Sequence, residues 1–268
     1  MSIKETFGSN LENRQVCVTI VDDSEDKFFE NIVSQIPVPN IEYIQNVHRL
    51  GLEGNFNRCL ELTRGQYTIF MGCDDYFVPG FYEEFCRAKQ KPAQIYALGV
   101  KVVDKFGEQS RNLVDFSKYL LTPGLFRAKE VIGEGDSLLA KLLIGNFLYF
   151  PSLVWETNAL KRFSFDKNSG VVVDLELISR MLLDGSKILI VRNPKVFAYR
   201  RHLGSESSIQ KFTSARFRAE KTLSYQVSSK SRGLRWWKSY IFGRILLTPR
   251  IHFVISRLQA LTQRKLDS

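Results

Sequence analysis

Two adjacent carboxylates, Asp74 and Asp75, are the residues of this sequence best placed to do chemistry. They closely follow Tyr67–Met71, a run of β-branched and aromatic residues that predicts a buried strand of a mostly parallel sheet. Open α/β sheets bind ligands at the carboxyl ends of their strands. Neighbouring carboxylates repel each other unless a cation or hydrogen-bond donors hold them. The pair therefore predicts a Mg²⁺ or Mn²⁺ site that bridges to a phosphate; the alternative is a solvated turn that caps the next helix.

A second acidic pair, Asp22-Asp23, follows an earlier predicted strand, Val16–Val21. Helical and strand patterns alternate from the start of the chain, and acids follow two separate strands. This alternation predicts a doubly wound α/β layer with a mostly parallel sheet flanked by helices. The predicted elements are helices at 3–11, 26–36, 55–63, 81–88, 156–162 and 175–184, and strands at 16–21, 41–45, 67–71, 94–103, 153–155 and 187–191.

Charge divides the chain into two parts. The formal net charge is +10, and residues 209–268 hold 13 Lys and Arg against only Glu220 and Asp267. The remainder is close to neutral, so we predict a domain at 1–208 and a basic helical tail at 209–268. The four cysteines form no Cys-x-x-Cys pair, which favours a reduced, intracellular chain. We also expect neither a signal peptide nor a membrane span.

The tail carries apolar residues at helical spacing, among them Trp237, Tyr240 and Ile241. Thr248-Pro249 is typical of a helix start, and a second apolar stripe follows it. Basic residues fill the gaps, a pattern that favours an interfacial segment on an anionic membrane surface. A helical hairpin packed on the domain or in a dimer is the alternative. The cations join no nucleic-acid-binding motif, so we expect no nucleic-acid partner.

Six motifs follow one another between about residue 3 and residue 208. Their order resembles that of the family 2 glycosyltransferases of the GT-A fold. Each motif alone is weak, and the specificity comes from the order and the spacing. The motifs are Val18–Ser24; Asn57 with Gly65-Gln66-Tyr67; Cys73-Asp74-Asp75; Pro151-Ser152; Phe165-Asp166 with Asp174-Leu175-Glu176-Leu177; and Tyr199–Ser205.

This resemblance implies an inverting, metal-dependent transfer of a sugar from a nucleotide-sugar donor to a hydroxyl acceptor. It also implies a saccharide or lipid-linked acceptor, in surface polysaccharide or glycolipid assembly on the cytoplasmic face of a membrane. The roles implied are the catalytic base for Asp174, donor contacts for Asp22, Asp23, Asp74 and Arg201, metal binding for Asp75 and His202, and an acceptor-side contact for Ser152.

Plainer structural roles stay open for several of these residues. Asp22 and Asp23 could form a cap or an Asx turn, and Asp174 could be the N-cap of the predicted helix 175–184. His202 could make a structural hydrogen bond only. The family usually opens with a further strand and a Pro-Thr-Tyr-Asn-like loop, whereas this sequence begins at the helix that follows them. Either the start codon is misplaced or the protein lost that strand, and in the second case the alternative function is a non-catalytic partner subunit that lost part of the nucleotide site.

Overall fold

A computed structural model of the chain describes residues 2–36, 40–110, 113–123, 129–201 and 215–230. The described residues form an α/β structure, and short 3₁₀ turns lie at Phe150–Ser152 and Gly170–Val172. In chain order the elements are α1 (Ser2–Glu12), β1 (Val18–Asp22), α2 (Phe28–Ser34), β2 (Ile41–Gln45), α3 (Gly51–Leu62), β3 (Tyr67–Ile69), β4 (Tyr76–Phe77), α4 (Phe81–Ala88), β5 (Ile95–Val103), α5 (Leu113–Leu121), β6 (Glu130–Glu134), α6 (Gly135–Ile144), β7 (Leu153–Glu156), α7 (Thr157–Leu160), α8 (Val173–Leu183), β8 (Lys187–Arg200) and α9 (Ala215–Lys230).

The strands form two sheets. Strands β1 and β2 are a parallel pair, with Val18 opposite Ile41 and Asp22 opposite Gln45. The other six form one mixed sheet in the order β3-β7-β5-β8-β4, and β6 also pairs with β8. Within it β3, β5 and β8 run in one direction, because β5 and β8 are parallel and β7 lies antiparallel between β3 and β5. The predicted α/β class with helices on the sheet is confirmed.

Alternation of side chains along the first residues of β5 and β8 produces a core on each face of the large sheet. Ile95 and Ala97 belong to one buried cluster, and Tyr96 and Leu98 belong to the other. The first cluster is completed by α6, α8 and α9, and the second by α1 and α4. The central strands are therefore covered on both faces, as their nearly continuous apolar sequences require.

Helix α9 packs on the domain although it belongs to the predicted tail. Leu223 and Val227 of α9 are buried in the first cluster. The hydrophobic interior thus extends past residue 208, and the predicted amphipathic stripes at 237–261 lie outside the described residues. Within the described part of the chain, no helix has both the length and the apolar composition that a bilayer crossing requires.

Several elements differ from their predicted form. Helix α3 begins at Gly51, before the predicted residue 55. Strand β3 is short and only partly buried, since β7 is its one partner among the described strands. The strand predicted at 187–191 continues to Arg200 as the longer strand β8. Residues 113–144 were not predicted as regular structure, yet they contain α5, β6 and α6.

Candidate active site

The turn between β3 and β4 holds both predicted carboxylates. Asp75 is 7% exposed, and its Oδ1 accepts a hydrogen bond of 2.9 Å from the backbone amide of Arg200 at the end of β8. A Cβ atom on Gly72 would lie 2.9 Å from Asp74 Oδ1 and 3.1 Å from Asp75 Oδ2. The two carboxylates thus approach the same point above Gly72, and only a glycine leaves that space open.

This cradle fits a hard divalent cation. Two carboxylate oxygens converge on one point, and Mg²⁺ or Mn²⁺ typically binds through one or two carboxylates while water and phosphate oxygens complete the shell. No group of three or more His, Cys, Asp or Glu side chains is placed to hold a metal among the described residues. His202, the third predicted ligand, lies outside the described part of the chain.

Arg201 follows Arg200 at the end of β8 and is anchored to helix α5. Its amide donates to Val103 O at 2.8 Å, which extends the pairing of β8 with β5. Its guanidinium donates from Nη2 to Asp115 Oδ1 at 2.8 Å, and Tyr149 donates its hydroxyl to the same oxygen at 2.9 Å. The predicted donor-binding arginine is therefore part of an ion pair inside the protein, with Tyr149 as its third member.

Burial and neighbouring charges change the pKa of Tyr149. Burial raises the pKa of Tyr149 well above its usual range, and the neighbouring Asp115 carboxylate raises it further, while Arg201 partly opposes both. Tyr149 is therefore a neutral donor at every physiological pH. The Nε atoms of Arg200 and Arg201 are buried and have no hydrogen-bond partner among the described residues. Both are cationic donors with unused capacity.

Asp174 lies in the first turn of α8, where its Oδ2 accepts a 3.1 Å hydrogen bond from Asn146 Nδ2. The N-cap of α8 is Val172, so the alternative prediction of Asp174 as N-cap is wrong because the helix begins earlier. A turn closed by Gly185, with a φ of 92°, leads from α8 back into β8. Helix α8 and strand β8 are therefore consecutive elements joined by a tight turn.

The segment 146–149 connects the predicted base to the arginine group. Asn146 donates to Asp174, and its Oδ1 accepts from the amide of Leu148. Leu148 O accepts from Lys118 Nζ at 2.9 Å, and Tyr149 bonds to Asp115. Asn146, Tyr149 and Asp115 were missed by the sequence analysis; the one signal for Asn146 was its position inside an apolar run, Leu138–Phe147.

Asp22 and Asp23 take the structural roles that the sequence analysis left open. Asp22 Oδ1 accepts from the Ser24 amide in an Asx turn, and Oδ2 accepts from the hydroxyls of Ser24 and Tyr43. Partial burial would raise the pKa of Asp22, but the hydrogen bonds from Tyr43 and Ser24 outweigh it and hold that pKa below its usual range. Asp23 accepts from Asn46 and from the amides of Leu50 and Gly51, so it anchors the start of α3.

Ser152 is 1% exposed, and its hydroxyl donates to Tyr149 O at 2.8 Å inside a 3₁₀ turn. This placement gives the residue a packing role and offers no surface for the acceptor contact predicted for it. Asn57, from the same set of motifs, exchanges two hydrogen bonds with the backbone of Phe165 and so ties α3 to the segment before α8.

Solved structures with this fold are glycosyltransferases of the GT-A type. One is the mannosyltransferase PcManGT from Pyrobaculum calidifontis in complex with GDP-Man and Mn²⁺, with a TM-score of 0.61 and 12% identity, covering 96% of this chain and 67% of that one. Another is S. aureus TarS 1–349 in complex with UDP-GlcNAc, with a TM-score of 0.60 and 13% identity, covering 95% of this chain and 75% of that one. At such low identities these likenesses show the fold.

Residues 2–134 match the family model described as Glycosyl transferase family 2, so the chain carries a family 2 glycosyltransferase domain. An uncharacterized protein of Mycobacterium tuberculosis, MT1568, is 25% identical over 207 residues, which cover 75% of this chain. The matched part spans 61% of that relative's length. The predicted family and fold are thus confirmed.

Proposed function

We propose that the protein transfers a sugar from a nucleotide-sugar donor to a hydroxyl acceptor with inversion, and that a divalent cation at Asp74 and Asp75 assists it. The observation that carries the proposal is the cradle above Gly72, in which two carboxylates converge and one of them is held by the amide of Arg200. The ligands of similar structures, UDP-GlcNAc in TarS and GDP-Man with Mn²⁺ in PcManGT, support a donor of this class.

The donor's diphosphate is the leaving group of such a transfer, and it gains negative charge as the glycosidic bond breaks. A cation held by Asp74 and Asp75 supplies positive charge to that group. Arg200, whose amide binds Asp75, and the adjacent Arg201 would add positive charge on the side of this turn. The ion pair with Asp115 fixes the position of Arg201 before the donor arrives.

Asp174 is the proposed base. An inverting displacement needs a carboxylate that takes the proton of the acceptor hydroxyl on the side opposite the leaving group. Asn146 holds Asp174 Oδ2, which leaves Oδ1 as the oxygen assigned to that proton. In this proposal one acidic residue, Asp174, serves the acceptor, and the Asp74-Asp75 pair serves the leaving group.

The setting proposed for this reaction is the cytoplasmic face of a membrane, in surface polysaccharide or glycolipid assembly with a saccharide or lipid-linked acceptor. Residues 231–268 contain eight Lys and Arg and one acid, Asp267, interspersed with apolar residues. Such a composition favours attraction to anionic lipid headgroups. Deleting residues after Lys230 should therefore weaken pelleting with anionic vesicles. Equal pelleting of the shortened protein and the full chain would contradict this part of the proposal.

Calorimetric binding of UDP and GDP, with and without Mn²⁺, tests the donor site. The full chain should bind at least one of them more tightly with Mn²⁺, and Asp75→Asn should abolish the metal-dependent gain. Asp184→Asn is the matched control, since Asp184 forms a surface ion pair with Arg162. Equal affinity with and without Mn²⁺ would contradict the proposed metal role. Nucleotide binding without any transfer of sugar would favour the non-catalytic partner subunit.

A further inference from the structure

Segment 146–149 lies between helix α6 and the 3₁₀ turn that precedes β7. Its two middle residues, Phe147 and Leu148, are buried and belong to the first core cluster. Its two outer residues, Asn146 and Tyr149, carry polar side chains that make hydrogen bonds to other parts of the protein. The close-packed core therefore fixes the backbone from which both polar side chains extend.

Side chains from neighbouring elements also bind the backbone of this segment. Ser152, from the following turn, donates its hydroxyl to Tyr149 O at 2.8 Å. Lys118, from α5, donates to Leu148 O at 2.9 Å, and its ammonium group lies 4.1 Å from the centre of the Tyr149 ring. Two carbonyl groups outside regular structure thus have partners, which holds the segment in one conformation.

The side-chain amide of Asn146 has one orientation that satisfies both of its neighbours. The backbone amide of Leu148 can only donate, so the oxygen Oδ1 of Asn146 must lie on that side, at 3.1 Å. The nitrogen Nδ2 is then directed at Asp174 and donates to its Oδ2 at 3.1 Å. An amide carries no charge and does not titrate, whereas a lysine in this place would pair with the carboxylate and make it a weaker proton acceptor.

Tyr149 holds a second carboxylate at the other end of the segment. Its hydroxyl donates to Asp115 Oδ1 at 2.9 Å, and the same oxygen accepts from Arg201 Nη2 at 2.8 Å. The Tyr149 ring also contacts the ring of Tyr199, with 5.2 Å between the two centres. Tyr149 therefore orients the carboxylate that binds the predicted donor-binding arginine.

The two outer residues are close to each other along the backbone. Three residue steps separate Asn146 from Tyr149, and an extended chain covers at most about 3.6 Å per residue, so their Cα atoms are at most about 11 Å apart. The hydrogen bonds to Asp174 and to Asp115 thus start from one short piece of backbone that the core holds in place.

We propose that Asn146 and Tyr149 are positioning residues of the transfer reaction, and that segment 146–149 orients groups on both the acceptor side and the donor side. Asn146 turns Asp174 so that its Oδ1 takes the proton of the acceptor hydroxyl. Tyr149 acts on Arg201 through Asp115. This inference rests on the proposed function and deepens it, since it assigns the residues that set the geometry of the base and of the donor arginine.

Asn146→Asp tests the acceptor side, because it keeps the oxygen that binds the Leu148 amide and replaces the donor Nδ2 with a carboxylate oxygen. Asp174 is then repelled where it was held. We expect kcat to fall about 10- to 100-fold, since a misplacement of about 1 Å can cost about 10²-fold. Calorimetric affinity for UDP and GDP should stay within about twofold of the parent value, because the donor side is untouched. Asn146→Ala, which adds no charge, should give the same result.

Release of nucleoside diphosphate from UDP-GlcNAc and from GDP-Man measures kcat, with water as the acceptor. The matched control is Asn57→Asp, because Asn57 likewise accepts from one backbone amide and donates to one oxygen, both belonging to Phe165. This control should lose stability with an unchanged kcat for the folded protein. An equal fall of kcat in Asn57→Asp and Asn146→Asp would mean that any lost asparagine contact slows the reaction, which would overturn the positioning role.

Tyr149→Phe tests the donor side and should affect the other kinetic constant. It removes the hydroxyl that binds Asp115 and keeps the ring. We expect the affinity for UDP or GDP to fall about 2- to 10-fold, the worth of one hydrogen bond, with kcat at saturating donor changed by less than about twofold. Tyr96→Phe is the control, since Tyr96 is buried in the second core cluster and its hydroxyl donates to Lys91 O. Unchanged nucleotide affinity in Tyr149→Phe would contradict the role of Tyr149.

A measurement without turnover tests the contact between Asn146 and Asp174. In the double variant Asn146→Asp with Asp174→Asn, the donor and the acceptor exchange places, so the hydrogen bond forms again in the opposite direction. Urea unfolding should show that Asn146→Asp lowers stability and that the second substitution restores it. Transfer should stay low, because residue 174 no longer takes a proton. A double variant no more stable than Asn146→Asp would show that the contact is absent and would overturn the proposal.

The failure of this inference and the failure of the proposed function give different results. A parent chain that binds neither UDP nor GDP, or that releases no nucleoside diphosphate from either donor, would contradict the proposed function and this inference with it. An active parent chain whose Asn146 and Tyr149 variants behave like their controls would contradict this inference alone.

Discussion

The backbone amide of Arg200 and the carboxylate of Asp75 are joined by a 2.9 Å hydrogen bond. This bond attaches the end of β8 to the turn that holds Asp74 and Asp75. The pairing of Tyr76 with Ala198 joins the next residues of the same two segments. Burying a carboxylate to 7% exposure costs free energy unless hydrogen-bond donors bind it, and this amide is such a donor. The turn and the arginine end of β8 therefore form one rigid unit, in which the acids and the cations keep a fixed relative position.

Gly72→Ala should disturb the cradle without disturbing the fold. The new Cβ would lie within about 3 Å of Asp74 Oδ1 and Asp75 Oδ2, a separation that forces the carboxylates apart. We expect the Mn²⁺-dependent part of nucleotide affinity to fall about 10- to 100-fold, the usual cost of displacing groups that orient metal ligands. Calorimetry measures it, with Cys73→Ala at the neighbouring exposed position as control. Unchanged affinity would show that the carboxylates do not act together.

Asp174→Asn should slow sugar transfer by a factor on the order of 10² to 10⁴, the worth of a positioned general base. Donor binding should persist, because Asp74 and Asp75 are untouched. Stability should fall by less than about 1 kcal/mol, which is the value of an acidic charge in the first turn of a helix. Transfer is measured as release of nucleoside diphosphate in the presence of acceptor, and Asp184→Asn is the control. A normal rate in Asp174→Asn would leave the residue a structural partner of Asn146 alone.

Asp115→Ala should destabilise the protein by about 3–5 kcal/mol, because it leaves Arg201 buried without its counter-ion. The side chains of this pair are only 16% and 11% exposed. The Arg58–Glu61 pair is the contrast, with side chains 40% and 67% exposed, and Glu61→Ala should cost about 0–1 kcal/mol. Urea unfolding followed by circular dichroism measures both. Similar losses in the two variants would mean that α5 is not held by this ion pair.

Tyr43→Phe should raise the pKa of Asp22 and lower stability at neutral pH. The folded pKa of Asp22 is depressed, so its ionised form contributes stability above the unfolded pKa of 3.8, and that contribution is lost as pH falls through the folded value. Desolvation and the Asp22 carboxylate raise the pKa of Tyr43 to about 12, so its hydroxyl remains a donor throughout. The stabilities of parent and variant should therefore converge in acid.

Carbon-detected NMR titration of the Asp22 carboxyl measures the pKa directly, and urea unfolding at neutral and acid pH measures the convergence. The control is Tyr119→Phe, because Tyr119 is a half-exposed tyrosine on helix α5. A stability difference between Tyr43→Phe and the parent that is the same at both pH values would contradict the assignment.

Elements with a clear local pattern were predicted closely. Strand β2 and helix α4 have the predicted bounds, and β5 differs by one residue, since apolar runs and turn residues define all three. Helix α5 was missed because its inner side carries Asp115 and Lys118 beside the apolar Leu121, so its sequence lacks an uninterrupted apolar stripe. Strand β8 was predicted only at 187–191, before Asn193-Pro194, whereas a shift in its register with β5 lets the pairing continue beyond that point.

The sequence predicted which residues form the candidate site, but not which of them bind one another. Asp74 and Asp75 follow a strand, which local sequence reveals, but the bond from Arg200 joins residues 125 positions apart. The ion pair of Arg201 with Asp115 likewise depends on where α5 packs, and no local pattern encodes that. Asp23 shows the converse, since its three hydrogen bonds to residues 46–51 are a structural use of a motif predicted to bind the donor.

Helix α9 sets where this polypeptide can be shortened. Leu223 and Val227 fill part of the interior beside the 3₁₀ turn that precedes α8. Cutting the chain at residue 208 would remove both side chains and uncover an apolar surface next to Asp174, so any loss of activity would report unfolding as much as lost anchoring. Protease digestion should accordingly spare helix α9, Ala215–Lys230. Part of the basic region therefore counts toward the free energy of unfolding of the domain.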